Sequence, residues 1–366
     1  MIVTTFKQNL IKMKKFFVLL ISVALIAACT NTGQQGSGEE KKVSLTAAGA
    51  TFPMPFYNQV FKNYTDETGI LLTYGGIGSG GGIRSLKDKV VDFGATDAYL
   101  DDEKIAEMPY KVVHIPTCMG AVVIAYNLDN VEGLKLTPEL LEGIFMGEIT
   151  KWNDAKIKKN NPGLQLPNMK ITVMHRSDGS GTTYIFSDYM CKISSKWEEK
   201  VGKGKSLEWP TGIGSKGNPG VAGAIQQTKG AIGYIGSEYA LAQNIPMAEL
   251  QNKAGKYVKP SVESISAAAK GELPEDTRVM LTNPDFEDAY PISGFTWIIL
   301  YKEQAYGGRT KAQAFETVKF LDWLISEDAQ AVTKTVHYSP LPEETVANAK
   351  KILRTVTYEG KALLTE

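Results

Sequence analysis

The sequence is poor in the residues that build disulfide frameworks and metal sites, since its 366 residues include three cysteines and three histidines. His114, His175 and His337 are scattered singly, without the spacing typical of metal ligands. With one cysteine near the amino terminus, Cys118 and Cys191 remain, and disulfides cannot dominate so long a fold. We expect no metal, no cofactor and two buried free thiols, with a single Cys118–Cys191 bridge as the alternative.

An excess of positive charge is also absent. The chain has 40 basic and 40 acidic residues, a formal net charge of zero. Removal of residues 1–28 would take away four lysines and no acidic residue, leaving 36 basic residues against 40 acidic ones. Because nucleic-acid binding relies on a positive surface, we expect no nucleic-acid partner.

Long hydrophobic runs are scarce, and the most apolar one lies near the amino terminus. Three lysines within residues 12–15 precede the uncharged stretch Phe16–Ala28, which is too short to span a bilayer comfortably and indicates a secretory signal. The following LIAAC (25–29) resembles the lipobox of bacterial lipoproteins. We predict a lipoprotein signal peptide over 1–28, lipidation of Cys29 and a flexible tether over 29–42. An ordinary cleaved signal with an incidental cysteine is the alternative.

Short apolar stretches alternate with helical patterns along the rest of the chain, which predicts an α/β protein with largely parallel sheets. About 325 ordered residues exceed what one core usually supports, so we expect two lobes. Helices are predicted over Pro138–Met146, capped by Thr137, and over Lys311–Ile325, while the Gly- and Lys-rich stretch Gly202–Gly220 indicates a surface loop. The predicted strands are Val43–Ala47, Ile70–Tyr74, Val90–Ala95, Val112–Ile115, Ala121–Tyr126, Ile171–Met174, Ala231–Ile235 and Phe295–Tyr301.

Three short segments rich in glycine and hydroxyl residues are each preceded by a predicted strand and followed by helical spacing. They are GATFP (49–53), GIGSGGG (76–82) and RSDGSGTT (176–183). The first turn of a helix has unpaired backbone N–H groups and partial positive charge, which makes it an oxyanion site. Three such loops predict one shared anion.

The side chains in these loops suit a tetrahedral oxyanion. The guanidinium of Arg176 can hold two oxygens, and Asp178 is placed to orient it, although an exposed ion pair is the alternative. Thr51 is equally compatible with a plain helix cap, and the glycine run around Ser79 with flexible filler. The candidate ligands in the loops are Thr51, Phe52, Ser79, Arg176, Ser180, Gly181 and Thr182.

Asp97, at the end of the segment DFGATD, is the eighth candidate ligand. A carboxylate would repel a fully ionised anion, but it can accept a hydrogen bond from the P–OH group of phosphate. It would then discriminate against sulfate, which carries no proton near neutral pH. The alternative is a turn or helix cap leading to Asp101.

Residues for catalysis are not evident. Ser180 lies in D-G-S-G rather than in the G-x-S-x-G elbow, and His175 is not obviously placed as its base. A phosphatase would require a metal pair or an activated nucleophile, and neither is recognisable. We therefore expect a binding protein and not an enzyme.

Several long segments resemble, in the same order, those of the periplasmic phosphate-binding proteins of phosphate-specific ABC transporters. The resemblance covers about residues 43–345. Its segments are LTAAGATFPMPFY (45–57), YGGIGSGGGI (74–83), VDFGATDAYL (91–100), IFMGEITKWND (144–154), HRSDGSGTTYIF (175–186), KGAIGYIG (229–236) and YSPLP (338–342).

The resemblance implies the type II periplasmic binding protein fold, with two α/β lobes and the ligand in the cleft between them. Lobe I would comprise 43–118 and 295–366, lobe II 119–294, and the chain would cross between them near 117–121 and 291–295. The eight candidate ligands above would bind phosphate, with Asp178 in support.

The resemblance also implies the biology: a monomeric, lipid-anchored periplasmic receptor that delivers inorganic phosphate to an ABC permease. Three alternatives stay open. They are another tetrahedral oxyanion such as arsenate or sulfate, an exported phosphate-ester hydrolase, and an interaction protein that reuses the fold.

Overall fold

The computed structural model describes residues 43–364. The predicted signal peptide (1–28), the predicted tether (29–42) with Cys29, and residues 365–366 lie outside this range. Residues 43–364 form a compact unit of their own. Among the helices of residues 43–364, none has the length and apolar character needed to cross a membrane.

The strands alternate with helices along the described chain. The strands are β1 (Ser44–Gly49), β2 (Leu71–Gly76), β3 (Phe93–Thr96), β4 (Val112–Tyr126), β5 (Lys135–Leu136), β6 (Thr172–Arg176), β7 (Ile213–Ser215), β8 (Ala231–Gly236), β9 (Glu249–Gln251), β10 (Tyr257–Val258), β11 (Ser293–Tyr301), β12 (Thr357–Tyr358) and β13 (Lys361–Ala362). The helices are α1 (Met54–Thr68), α2 (Ser79–Lys87), α3 (Asp102–Ala106), α4 (Pro138–Phe145), α5 (Ala155–Asn160), α6 (Gly181–Ile193), α7 (Ser195–Lys200), α8 (Gly217–Gln227), α9 (Ser237–Ala242), α10 (Val262–Ala267), α11 (Lys311–Leu324), α12 (Glu327–Thr335) and α13 (Glu343–Arg354).

The main sheet of the described chain has eight strands in the order β2-β1-β3-β11-β4-β8-β6-β7. Its two halves share the long strand β4, whose first part pairs with β11 and whose residues 122–126 pair with β8. We call the half containing β1, β2, β3 and β11 lobe I, and the half containing β6, β7 and β8 lobe II. Both halves mix parallel with antiparallel pairs, which confirms the predicted α/β class.

Strand β4 corrects one sequence prediction. The segments Val112–Ile115 and Ala121–Tyr126 were predicted as separate strands, but they belong to one strand of 15 residues. Pro116 does not end it, because the register with β11 shifts between Thr296 and Trp297, opposite this proline. Such an irregularity tolerates the missing backbone N–H.

The parallel pairs align the carboxyl ends of the strands within each lobe. In lobe I, Gly49 is paired with both Gly76 and Ala95, so the three loops that follow β1, β2 and β3 leave from neighbouring points. In lobe II, Arg176 at the end of β6 is paired with Ser215 at the end of β7. These are the strand ends where open α/β sheets place ligands.

Helix boundaries follow local capping signals. The hydroxyl of Thr137 accepts from the Leu140 N–H at the start of α4, as predicted, and Thr310 forms a capping box with Gln313 at the start of α11. The stretch predicted as a surface loop, Gly202–Gly220, is only partly irregular. It contains β7 and the first turn of α8. Backbone pairing with β6 makes residues 213–215 a strand in spite of the glycine-rich composition.

Candidate functional site

Lobe I contributes three loops to the cleft. Thr51 and Phe52 lie buried in the turn between β1 and α1. Gly78, with φ +82°, brings Ser79 to the start of α2, and a Cβ at Gly78 would lie 2.4 Å from Asp178 Oδ2 of lobe II. Only glycine permits so close an approach, so the glycine run has a steric role beyond flexible filler.

Thr51 is not a plain helix cap, because within residues 43–364 no capping side chain accepts a hydrogen bond from the first turn of α1. Its Oγ1 instead accepts hydrogen bonds from the backbone N and Nδ2 of Asn218, at 3.0 and 3.1 Å. The Phe52 carbonyl accepts a hydrogen bond from the hydroxyl of Tyr338. This turn is therefore held in place from both sides.

Lobe II contributes a buried, preoriented cation. The Arg176 side chain is 1% exposed, and its Nε and Nη2 donate to Asp178 at 2.7 and 2.6 Å. Burial alone would raise the pKa of Asp178, but the hydrogen bonds and charge of Arg176, together with a hydrogen bond from the Gly217 N–H, outweigh it and hold that pKa below its usual value. The exposed ion pair considered for Arg176 is thus wrong, and the bidentate contact fixes the guanidinium plane.

The segment after Arg176 opens helix α6. Ser180 is its N-cap, with Oγ accepting from the Thr183 N–H at 3.0 Å and its own N–H donating to the carbonyl of Lys205 at 2.8 Å. Gly181 and Thr182 form the first turn, and Thr182 Oγ1 accepts from Arg176 Nη1 at 3.3 Å. The anion-attracting end of this helix therefore faces Ser79 and Asp97 of lobe I.

The two lobes meet through these loops. The Gly181 N–H donates to Ser79 Oγ at 3.0 Å, and the Gly80 N–H donates to the carbonyl of Gly179 at 2.8 Å. The start of α2 thus lies against the start of α6. A Cβ at Gly181 would lie 2.5 Å from Ser79 Oγ and 2.6 Å from Asp97 Oδ2, so the cleft has no room for a larger residue there.

Asp97 lies buried among these groups. Its Oδ1 accepts from the Thr296 hydroxyl at 2.8 Å, whereas its Oδ2 has no hydrogen-bond partner among the described residues. Burial raises the pKa of Asp97 to about 7, against the lowering effects of the Thr296 hydrogen bond and the Arg176 charge. The alternative of a helix cap is wrong, since Asp101 caps α3 by accepting from the Lys104 N–H.

Sequence reasoning missed several residues of the site. Asn218 joins Thr51 to Thr182, which accepts from its Nδ2 at 3.0 Å, and Thr296 binds Asp97 from 199 positions away. Tyr239 donates its hydroxyl hydrogen to the Thr51 carbonyl. No local pattern marks these residues, because each is brought to the site by a strand or helix from elsewhere in the chain.

Lys205 is a second basic residue near the site, inside the stretch predicted as surface loop. Its Nζ lies 5.2 Å from the centre of the Tyr184 ring. Burial lowers the pKa of Lys205 to about 8, partly offset by the charges of Asp101 and Asp97. Its positive charge in turn lowers the pKa of Asp97. The cleft therefore has more positive potential than Arg176 alone supplies.

The thiols take no part in this arrangement. Cys118 is buried and Cys191 is half-buried, and neither forms a disulfide within residues 43–364, which confirms the predicted free thiols but corrects the expectation that both are buried.

Around the cleft, the described part of the chain brings together hydroxyl and N–H donors, one guanidinium and one unpaired carboxyl oxygen. Such a set can bind a small oxyanion that carries a proton.

Comparison with known proteins agrees with this geometry. Residues 31–328 match the model of the PBP superfamily domain. The phosphate-binding protein PstS of Xylella fastidiosa is 42% identical over 321 residues, which cover 86% of each chain. The chain belongs to the PstS family of phosphate-binding proteins.

Solved structures agree on the fold of this PstS family member. A high affinity periplasmic phosphate-binding protein, solved with phosphate bound, has a TM-score of 0.67 at 20% identity and covers 84% of this chain and 93% of its own. An ABC-type phosphate transport receptor from Vibrio cholerae has a TM-score of 0.52 at 20% identity, covering 81% and 100%. The expected two-lobed periplasmic binding protein fold is confirmed.

Proposed function

We propose that this protein binds inorganic phosphate in the cleft between its lobes and delivers it to an ABC permease for import. The observation that carries the proposal is Asp97, a buried carboxyl group placed among anion-binding donors, with one oxygen that has no hydrogen-bond partner in the described part of the chain. Such a group accepts a hydrogen bond from a protonated oxyanion and repels an unprotonated one. Phosphate carries that proton near neutral pH.

The proposed ligands are the eight residues expected from the sequence. Their backbone N–H and hydroxyl groups, with the Arg176 guanidinium, would donate to the phosphate oxygens, and Asp97 would accept from the remaining P–OH. Asp178 would act by orienting Arg176. The full set is Thr51, Phe52, Ser79, Asp97, Arg176, Ser180, Gly181 and Thr182.

We assign residues 43–118 and 295–366 to lobe I and residues 119–294 to lobe II, with hinge crossings near 117–121 and 291–295. The sharing of β4 between the two halves of the sheet supports the first crossing, and the Ser293–Ala121 pair at the start of β11 supports the second. Thr51 and Asp97 would then bind from one lobe and Arg176 from the other. A ligand held from both sides favours the closed state.

The proposed setting is the periplasm, with the chain tethered to a membrane through a lipid on Cys29 and acting as a monomer. The lipobox-like sequence at 25–29 supports the anchor. We propose a transport receptor without enzymatic activity, since its family is named for phosphate binding. Arsenate, which has the shape and protonation of phosphate, is the oxyanion that would compete best.

Isothermal titration of the full chain, stripped of endogenous ligand, tests the proposal. We expect saturable one-to-one binding of phosphate and no response to sulfate at matched ionic strength. Binding of sulfate alone would contradict the role given to Asp97. No heat with either anion would contradict the receptor function. In a separate activity assay, release of phosphate from a phosphate ester would contradict the absence of enzymatic activity.

A further inference from the structure

Asn218 is a buried residue at the start of α8 whose hydrogen bonds join the two lobes. Its Nδ2 donates to the Oγ1 atoms of Thr51 and Thr182, at 3.1 and 3.0 Å, and its backbone N donates to Thr51 Oγ1 at 3.0 Å. Its Oδ1 accepts from the Gly236 N–H at 3.0 Å. That last bond fixes the orientation of the amide, so that the NH₂ group is the end that faces the cleft.

These contacts decide where the threonine hydroxyl hydrogens can point. A hydroxyl group has one hydrogen to donate and two lone pairs to accept with. Thr51 Oγ1 accepts from both the N and the Nδ2 of Asn218, and Thr182 Oγ1 accepts from Asn218 Nδ2 and from Arg176 Nη1 at 3.3 Å. Both oxygens therefore have their acceptor positions filled, and each hydrogen is left for another partner.

The segment that carries Asn218 is itself bonded to the carboxylate that orients Arg176. Gly217 has φ +71°, in the left-handed region, and its N–H donates to Asp178 Oδ1 at 3.0 Å. The carboxylate that orients Arg176 thus also fixes the residue before Asn218. A side chain so constrained can define hydroxyl directions without touching the ligand itself.

We propose that Asn218 is a positioning residue for the bound oxyanion. It occupies the acceptor sites of Thr51 and Thr182, so that both hydroxyl hydrogens are donated to the ligand, and it bonds lobe II to lobe I when the cleft is closed. This inference rests on the proposed phosphate-binding function. It predicts a loss of affinity without any loss of a direct ligand contact.

The test begins with the phosphate affinity of the wild-type full chain and of Asn218→Ala, measured by isothermal titration. We expect about 10- to 100-fold weaker binding in the variant. Asn161→Ala is the matched control, because Asn161 is also buried in lobe II and bonds backbone atoms of Lys135 and Ile157. Asn161→Ala should stay within about twofold of the wild-type affinity, because Asn161 does not contact the hydroxyl groups of Thr51 and Thr182.

A double-mutant cycle separates positioning from a general structural effect. If Asn218 acts through the hydroxyls, Asn218→Ala should cost at least about threefold less affinity in a Thr182→Val background than in the wild type. An equal loss in both backgrounds, or unchanged affinity in Asn218→Ala, would overturn the inference. Failure of the wild-type chain to bind phosphate would instead overturn the proposed function.

A second variant serves in case Asn218→Ala does not fold, which phosphate-free thermal unfolding would reveal. Asn218→Asp keeps the shape of the side chain, but its carboxylate can only accept hydrogen bonds and would take up the threonine hydroxyl hydrogens. We expect a loss of affinity at least as large as that expected for Asn218→Ala. Wild-type affinity in Asn218→Asp would overturn the inference as well.

Discussion

Replacement of Asp97 by asparagine should change both the stability and the selectivity of the protein. The variant keeps an acceptor for the Thr296 hydroxyl and puts an NH₂ group in place of Oδ2, which has no hydrogen-bond partner within residues 43–364. In the folded protein the pKa of Asp97 is raised from 3.8 to about 7, chiefly by burial. The native state therefore binds this proton more tightly than the unfolded chain does.

The stability of the wild type and of Asp97→Asn should depend differently on pH. Because the folded pKa is above the unfolded one, the stabilisation from this group is complete below about pH 4 and is lost as the pH rises to about 7. Between pH 5 and pH 8 the phosphate-free wild type should lose about 3 kcal/mol of unfolding free energy relative to Asp97→Asn. Urea denaturation of both proteins at the two pH values measures this difference. Equal pH dependence in both would refute the account of Asp97.

The same variant should lose discrimination between anions. At pH 8, above the pKa of about 7, Asp97 is mostly ionised, and sulfate must either face its negative charge or bind the minor protonated form. We therefore expect the phosphate-to-sulfate affinity ratio at this pH to be about tenfold higher in the wild type than in Asp97→Asn, because the variant does not repel sulfate. Asp92→Asn is the control, since Asp92 is a buried carboxylate bonded to Arg309 and Thr46. An unchanged ratio in Asp97→Asn would contradict the proposed selectivity.

Two further substitutions test the donors of the site. Arg176→Ala should weaken phosphate binding by about 3–6 kcal/mol, the value of two charge-assisted hydrogen bonds. Arg278→Ala is the control, because it removes a partly exposed guanidinium paired with acidic residues. It should leave the phosphate affinity unchanged in the same titration. Gly181→Ala should prevent the two lobes from closing and so weaken phosphate binding, because its Cβ would lie 2.5 Å from Ser79 Oγ. Gly223→Ala is the control for a Gly-to-Ala change in a helix, since a Cβ at Gly223 would have no atom within 4 Å. Wild-type phosphate affinity in either Arg176→Ala or Gly181→Ala would contradict these roles.

The sequence was sufficient to predict the parts of the site that depend on local structure. Strand, loop and helix follow one another at Thr51, at Ser79 and at Arg176, and glycine and hydroxyl residues at a helix start are a local signal. The capping of α4 by Thr137 is equally local and was predicted correctly. These features depend on neighbours a few positions away, which a sequence pattern records.

The remaining parts depend on residues far apart in the chain. Thr296 meets Asp97 because β11 lies beside β3, and Asn218 meets Thr51 because the two lobes close on each other. The unbroken course of β4 through Pro116 likewise depends on the shifted register of its partner strand. Neither composition nor periodicity contains such information, so the fold class could be predicted more fully than the partners of each ligand residue.

A crystal structure of the protein grown with phosphate would show whether the two lobes hold the anion between them. We expect one phosphate between the lobes, with oxygens within hydrogen-bonding distance of the Arg176 guanidinium, Ser79 Oγ and the Gly181 N–H, and with one oxygen facing Asp97 Oδ2. A phosphate bound elsewhere, or a site without phosphate in crystals grown at saturating concentration, would rule out phosphate binding by these residues.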